Sequence, residues 1–247
     1  MARGAAARGK RIAFGDGRKI LWDKNSATMF QDNPNIAPPG AEGDRDVEWV
    51  RYYKGHRIYN RQAANRWIWN LDFRPIAGEI VFDRNELRNR ERAGRGFVVI
   101  EPGVEAWKTC APNKDWGLSR YQLVADALRA QKRRIVQFRY AKGAPGLKGA
   151  DRVDTLGFRD AVGLLSRASL YIGPEGGLHH AAAAVGIPAV VLFGGFIPPQ
   201  VTGYPDHANL TGGADKACGK LTPCAHCRAA LDAILPVDVL AHALERL

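Results

Sequence analysis

The second half of the chain repeats one pattern, in which a short apolar run precedes an apolar stripe at helical spacing. Four apolar runs predict buried strands, at residues 97–100, 134–138, 170–172 and 189–193. The stripes predict helices that begin near Tyr121, Phe158, His179, Cys227 and Val237. Alternating strands and helices of this length are typical of a parallel sheet with helices on both faces. The pattern therefore predicts an α/β fold.

The first half of the chain has a less regular pattern. A strand is predicted at residues 10–14, followed by a glycine turn at 15–17 and a helix over 18–22. Alternation of apolar and polar positions predicts further strands around residues 58–60 and 67–73.

A charged segment over residues 86–95 separates the two halves, and its composition predicts a helical linker. We place a domain boundary within it, near residues 88–95, which gives a smaller domain at residues 1–95 and a larger one at 96–247. A chain of 247 residues can form one large domain or two small ones.

Targeting signals are not evident in the sequence. No stretch approaches ~18 uninterrupted apolar residues, so we expect no transmembrane helix. The basic N-terminus lacks the apolar core of a signal peptide, and we expect a cytoplasmic protein.

The formal net charge of +11 favours anionic partners such as nucleotides, phosphorylated glycolipids, nucleic acid or an anionic membrane face. Basic residues recur throughout residues 45–95, although a solvated helix and linker would have the same composition. No zinc-finger, RNP or helix-turn-helix signature accompanies this charge, so a nucleic-acid partner is the less favoured interpretation.

The most informative segment lies where the third predicted strand meets its helix. Glu175 precedes Gly176 and Gly177, and His179 and His180 follow in the first turn of the helix. Glycines let a ligand approach the backbone, and the first N–H groups of a helix bind anions. A tight turn and close helix packing would also account for this composition. However, Gly194-Gly195 follows the next strand at the same sheet edge, where ligands of parallel sheets bind.

Three of the four cysteines lie close together in the sequence, at Cys218, Cys224 and Cys227. In a cytosolic protein such a group favours metal or redox chemistry over a structural disulfide. A bound zinc or iron ion, reduced free thiols and a redox disulfide all stay open. Cys110, His207 or His226 would be candidates for a further ligand.

The second half resembles the nucleotide-sugar-binding domain of glycosyltransferase family 9, the ADP-heptose:lipopolysaccharide heptosyltransferase group. The matching residues are Glu175, Gly176, Gly177, His180, Ala181–Ala184, Gly186, Pro188 and Phe193-Gly194. Pro102-Gly103 and Lys114-Asp115-Trp116 resemble the family's Pro-Gly and Lys-x-Trp segments. The resemblance covers residues 96–215 and implies a GT-B-like architecture with a Rossmann-like C-terminal domain. Residues 1–95 would then be a shortened acceptor-side domain.

The resemblance also implies roles for individual residues. Asp16 would accept the proton of the attacking hydroxyl, unless it only caps the following helix. The donor would be bound by Lys114, Glu175, Gly176, Gly177, His180, Gly194 and Gly195. Lys114 and the glycine N–H groups would hold the diphosphate, and Glu175 the donor hydroxyls. A solvated lysine and a packed helix histidine are the alternatives for Lys114 and His180.

The favoured function is therefore inverting transfer of a heptose-like sugar, in lipopolysaccharide biosynthesis or a related process. The donor would be a nucleotide-diphosphate sugar, with an ADP-sugar favoured and no cofactor required. The acceptor would be an anionic glycan, a lipid-linked core or a protein hydroxyl, with peripheral contact at the inner membrane face and no stable nucleic-acid partner. A non-catalytic nucleotide-sugar-binding protein and a basic nucleic-acid-binding protein are the alternatives.

Overall fold

The computed structural model describes residues 1–53, 55–104, 108–139 and 146–247. The strands are β1 (Arg11–Gly15), β2 (Val47–Tyr53), β3 (His56–Arg57), β4 (Asn60–Ala63), β5 (Arg66–Trp69), β6 (Val98–Ile100), β7 (Ile135–Arg139), β8 (Asp151–Asp154), β9 (Leu170–Pro174), β10 (Ala189–Leu192) and β11 (His207–Leu210). The α-helices are α1 (Ala2–Ala6), α2 (Lys24–Met29), α3 (Arg84–Asn89), α4 (Leu118–Ala130), α5 (Phe158–Leu165), α6 (Gly177–Ala184), α7 (Pro199–Thr202), α8 (Ala225–Ala233) and α9 (Pro236–Leu244). Two 3-10 helices lie at Arg90–Ala93 and Ala111–Asn113. None of the helices in these ranges is both long and apolar enough to span a membrane.

The larger sheet has six strands in the order β11-β10-β9-β6-β7-β8. All five of its pairings are parallel. Every residue of β6, β9 and β10 is buried, because helices cover both faces of a parallel sheet. The predicted α/β fold with a parallel sheet is confirmed.

The two edge strands of this sheet were not predicted. Three of the four residues of β8 are exposed, and only Val153 is partly buried. β11 contributes only four residues. Neither strand carries an apolar run, which is why the sequence pattern did not indicate them.

The strand order reverses direction between β6 and β9. From β6 the chain moves outward through β7 and β8, and then returns to place β9 on the other side of β6. Such a switch point opens a crevice at the carboxyl ends of the two strands, where open α/β sheets bind ligands. Glu101 follows β6 at this crevice, and Glu175 follows β9.

The smaller sheet has the order β1-β2-β3-β4-β5. β1 and β2 are parallel, whereas the pairings from β2 to β5 are antiparallel. Its strands all come from the first 69 residues and those of the larger sheet from residues 98–210. The domain boundary near residues 88–95 stays a prediction.

The predicted helix over residues 18–22 is wrong. The Asp16 carboxylate accepts hydrogen bonds from the backbone N–H groups of Arg18 and Lys19, at 2.8 Å each, which closes a turn instead. Ile20 then pairs with Gly15 as an isolated bridge. The helix begins later because Asp23 is its N-cap and accepts from the Ser26 N–H.

A buried arginine connects the helices of the larger sheet to the first part of the chain. Arg159 of α5 is 5% exposed and donates two hydrogen bonds to the Glu86 carboxylate, both at 2.6 Å. It also donates to the carbonyl oxygens of Thr28 and Val81. The Arg159 hydrogen bonds lower the pKa of Glu86. One side chain thus joins three segments from the first half of the chain to α5.

Removing the Arg159 guanidinium should destabilise the folded protein. We expect Arg159→Ala to lower the free energy of unfolding by about 3–5 kcal/mol, since it leaves a carboxylate and two carbonyl groups without their partner. Arg139→Ala is the matched control, because Arg139 pairs with Asp154 through the same bidentate geometry on the surface. Its loss should destabilise the protein far less than Arg159→Ala, because solvent screens an exposed ion pair. Urea denaturation curves measure both values, and equal losses would contradict this account of burial.

Candidate functional site

A cavity of about 1110 Å³ opens between the smaller sheet and the switch point of the larger one. The smaller sheet contributes Arg57, Tyr59, Asn60, Trp67 and Trp69 to its lining. The larger sheet and its loops contribute Glu101, Gly103, Lys114, Glu175, Gly176, Gly177, His180 and Phe196. Five residues that the sequence predicted as donor-binding thus line one cavity.

Glu175 is the electrostatic centre of this cavity. Its side chain is 6% exposed, and one oxygen pairs with the ammonium group of Lys114. The other oxygen lies 3.5 Å from Nε2 of His180. Burial alone would raise the pKa of Glu175, but the charge of Lys114 and the hydrogen bond with His180 hold it well below its usual range. Glu175 is therefore a carboxylate at neutral pH.

Lys114 reaches Glu175 from the loop after the 3-10 helix at Ala111–Asn113. Its Nζ also donates to the backbone carbonyl of Glu175 at 3.2 Å, and it lies 5.4 Å from the centroid of the Phe196 ring. The ammonium group is thus fixed at the cavity wall, where a ligand anion would meet it.

The N-terminus of α6 faces the same cavity. Gly176 is its N-cap, and no side chain caps the first N–H groups of the helix. A Cβ atom at Gly177 would lie 3.0 Å from the Phe158 ring, so this position has little room for a side chain. Free N–H groups beside an ammonium group form an anion-binding edge.

His179 turns into the protein, as its helical offset from His180 predicted. It is fully buried, and its ring packs against Phe193, Tyr204 and His207 at centroid distances of 5.2–5.6 Å. Burial lowers the pKa of His179 to about 2, so the ring is neutral. Neither ring nitrogen has a hydrogen-bond partner among the described residues. Tyr204, in turn, contacts His180 through a 2.9 Å hydrogen bond.

Glu101 is a cavity residue that the sequence analysis missed. It is 5% exposed, one oxygen accepts from the Gly103 N–H at 3.1 Å, and the other has no partner within the described ranges. Burial raises the pKa of Glu101 to about 7. The available signal was an acidic residue directly after an apolar strand and before Pro102-Gly103, at the edge where ligands bind.

Three of the residues predicted for catalysis or donor binding lie outside the lining of this cavity. Asp16 is exposed, and its carboxylate closes a turn rather than capping a helix, because the next helix begins only at Lys24. A Cβ atom at Gly194 would lie 2.8 Å from Leu231, and one at Gly195 would lie 2.6 Å from His226. The missing side chains of these glycines therefore admit α8. Their roles in binding and catalysis stay predictions.

Cys218, Cys224 and Cys227 meet in space. Their sulfur atoms all lie within 4.8 Å of one another, and Sγ of Cys218 is 3.0 Å from Sγ of Cys227. Although burial opposes it, backbone N–H groups at the start of α8 lower the pKa of Cys224. Burial raises the pKa of Cys227 well above its usual value. In the described part of the chain, neither Cys110 nor His207 joins this group.

The segment at residues 218–224, which we call the cysteine loop, contacts the loop that carries Lys114. The Asn113 side chain donates to the carbonyl oxygens of Lys220 and Thr222, at 3.0 and 2.9 Å. Thr109 donates to the carbonyl of Leu221 at 2.6 Å. The conformation of the cysteine loop therefore affects the position of the Lys114 ammonium group in the cavity.

The buried Glu101 carboxyl should make stability depend on pH. Its pKa in the unfolded chain is about 4.3, so the folded state holds the proton more tightly. The resulting stabilisation is full below about pH 4 and is lost as the pH rises through about 7. The free energy of unfolding of the wild-type protein should therefore fall by roughly 3 kcal/mol between these limits, and Glu101→Gln should abolish this fall. Urea denaturation of both proteins across this range tests this, and parallel pH profiles would contradict it.

Comparisons with known proteins agree with the geometry. The family model described as glycosyltransferase family 9 (heptosyltransferase) matches residues 60–229. The fold is similar to the glycosyl transferase family 9 structure from Veillonella parvula DSM 2008, with a TM-score of 0.52 and 15% identity, covering 68% of this chain and 53% of that one. The chain thus spans about half the length of that protein.

A second similar structure is the iron-containing dodecameric glycosyltransferase TibC from enterotoxigenic E. coli H10407. Its TM-score is 0.55 at 16% identity, and the match covers 90% of this chain and 68% of that one. A comparison with the curated proteins gave no match. The two structures confirm the predicted GT-B-like fold. Because the family model covers more than half of the sequence, this chain belongs to glycosyltransferase family 9, the heptosyltransferase family.

Proposed function

We propose that the protein is an inverting glycosyltransferase that takes a heptose-like sugar from a nucleotide-diphosphate donor, preferably an ADP-sugar. The observation that carries this proposal is the convergence of Lys114, Glu175 and the N-terminus of α6 on one cavity. Family membership supports the reaction class. The family match gives no support to the alternative of a nucleic-acid-binding protein.

In this proposal the diphosphate binds the free N–H groups of α6 and the Lys114 ammonium group. Glu175 holds Lys114 in place and accepts hydrogen bonds from donor hydroxyls. The acceptor oxygen attacks the anomeric carbon, and the bond to the diphosphate breaks with its electron pair leaving on the diphosphate. The hydroxyl proton passes to a carboxylate, for which Asp16 stays the candidate.

The acceptor in this proposal is an anionic glycan, a lipid-linked core or a protein hydroxyl. The formal net charge of +11 suits such an acceptor. We propose that the protein works in the cytoplasm and meets the acceptor at the inner membrane face, in lipopolysaccharide biosynthesis or a related process.

We also propose that Cys218, Cys224 and Cys227 hold a zinc or iron ion. Three converging thiols, one of them buried, supply three of the four positions of a tetrahedral site. The similar structure TibC is iron-containing. The ion would supply no step of the transfer but would fix the cysteine loop against Asn113, next to Lys114.

Donor binding is the first test. In calorimetric titrations with ADP-heptose, Lys114→Ala should weaken binding by about 10- to 100-fold, because a charge-assisted contact contributes about 1.5–3 kcal/mol. Glu175→Ala should weaken it as well, since Lys114 then loses its anchor. Lys24→Ala, an exposed lysine outside the cavity, is the control. Failure of the wild-type protein to bind ADP-, GDP- or UDP-sugars would overturn the proposal.

The proton acceptor can be assigned by comparing Asp16→Ala with Glu101→Gln. If Asp16 is the base, its replacement should lower ADP release in the presence of acceptor by about 100-fold or more and leave donor binding nearly unchanged. Retained transfer in Asp16→Ala with loss in Glu101→Gln would instead assign the proton to the buried carboxyl in the cavity.

Metal content tests the cysteine site. The purified protein should carry about one zinc or iron ion per chain by elemental analysis, and Cys224→Ser should reduce this content strongly. Cys110→Ser is the control, because Cys110 lies outside the group. A wild-type protein that carries neither metal, and whose melting temperature a chelator does not change, would contradict the site.

A further inference from the structure

Glu175, His179 and His180 form a second cluster of metal-ligand side chains, apart from the three cysteines. Each of them offers one ligand atom, and these atoms all lie within 4.8 Å of one another. Two histidines and one carboxylate are a known ligand set for zinc, which keeps a further coordination position for water or another molecule. We call these three residues the histidine–glutamate group.

Glu175 has one oxygen that Lys114 does not use. Lys114 pairs with the first oxygen, and the second lies 3.5 Å from Nε2 of His180. This separation is longer than that of most hydrogen bonds. It matches two ligands of one tetrahedral zinc ion, because atoms bound at about 2.0–2.1 Å lie roughly 3.3–3.4 Å apart. The Glu175 oxygen and the His180 nitrogen are therefore spaced to bind the same ion.

Tyr204 orients the His180 ring from behind the cavity. Its hydroxyl lies 2.9 Å from Nδ1 of His180, and it belongs to the segment between α7 and β11. When Nδ1–H donates to this hydroxyl, Nε2 keeps its lone pair on the side of Glu175. Ligating histidines almost always have such a partner at the second nitrogen, which fixes the tautomer and the ring orientation. His180 thus has the surroundings of a metal ligand.

His179 supplies the third ligand atom of the group. Its ring is fully buried, and neither nitrogen has a hydrogen-bond partner among the described residues. Buried polar groups almost always have partners, so a buried ring with two unpaired nitrogens requires an explanation. One of these nitrogens lies within 4.8 Å of the ligand atoms of Glu175 and His180. An ion bound by all three residues would give it a partner.

From this geometry we propose that Glu175, His179 and His180 bind one zinc ion at the wall of the cavity. Imidazole and carboxylate ligands suit zinc better than magnesium, which prefers oxygen ligands. The ion takes the Glu175 oxygen that binds donor hydroxyls in the proposed function, so zinc and the donor compete. The metal site stands independently of that function, whereas the competition rests on it.

Zinc binding by the full chain is the first measurement. After equilibrium dialysis against zinc chloride, His180→Gln and His179→Gln should each carry about one zinc ion fewer per chain than the wild-type protein. This difference is independent of any metal that the cysteines hold. His242→Gln is the matched control, because His242 lies 3.2 Å from the Glu245 carboxylate on the protein surface, and it should leave the count unchanged. Equal counts in the wild-type protein and both variants would overturn the site.

Two further variants test the surroundings of the ion. Tyr204→Phe removes only the hydroxyl and should weaken zinc binding by about 10- to 100-fold, the usual effect of losing the partner of a ligating histidine. Lys114→Ala should strengthen zinc binding, because no ammonium group then repels the ion beside Glu175. The same variant weakens ADP-heptose binding in the proposed function, so the two ligands respond in opposite directions. Unchanged zinc affinity in Tyr204→Phe, or weaker zinc binding in Lys114→Ala, would contradict this geometry.

Competition with the donor connects the site to the proposed function. Zinc at about ten times its dissociation constant should raise the apparent dissociation constant of ADP-heptose about tenfold. His179 lies outside the cavity lining, so His179→Gln should bind ADP-heptose like the wild-type protein but lose the zinc effect. An equal zinc effect in both proteins would mean that the diphosphate itself binds zinc, and would overturn the competition. If the wild-type protein binds zinc at this group but never ADP-heptose, the proposed function fails and the metal site stands.

Discussion

The site depends on one topological constraint, which is the reversal of strand order between β6 and β9. Parallel strands bring all their carboxyl ends to one edge, and the reversal leaves that edge open where two neighbouring strands send their chains in opposite directions. Glu101 and Glu175 occupy this opening because each directly follows one of these strands. A different strand order would separate the two carboxyl groups even if every strand kept its sequence. The strand order of the sheet thus determines which acidic residues meet in the cavity.

Within that opening, two buried glutamates have opposite ionisation behaviour. Glu175 is buried as deeply as Glu101, yet the adjacent Lys114 and His180 keep it charged. Glu101 has no cation within ion-pair distance among the described residues, and burial raises its pKa to about 7. Pairs of acidic groups whose surroundings shift their pKa values apart are typical of sites that handle both charge and protons. The position of the loop that carries Lys114 therefore makes Glu175 the more readily ionised of the two carboxyl groups.

The sequence identified the cavity residues near Glu175 better than the rest of the cavity lining. The Glu175-Gly176-Gly177 motif has a local signature in its glycine junction, and Lys114 followed from the resemblance of Lys114-Asp115-Trp116 to the family's Lys-x-Trp segment. Gly194 and Gly195 looked equivalent, but only the structure shows that their missing side chains admit Leu231 and His226. The parallel sheet followed from apolar runs, whereas the exposed strand β8 had none. Local patterns cannot report close approaches between residues distant in sequence.

The cavity wall formed by strands β3 to β5 could not be predicted from the sequence for the same reason. Trp67 and Trp69 were predicted as alternating strand positions, but nothing local indicated that Trp69 would pack against Phe196, more than a hundred residues later. Their placement depends on contacts between the halves, such as the pairing of Arg66 with Lys220 in the cysteine loop. That loop also holds the carbonyl groups that position Asn113, next to Lys114. The cysteine loop therefore contacts both the strand that carries Trp67 and Trp69 and the loop that carries Lys114.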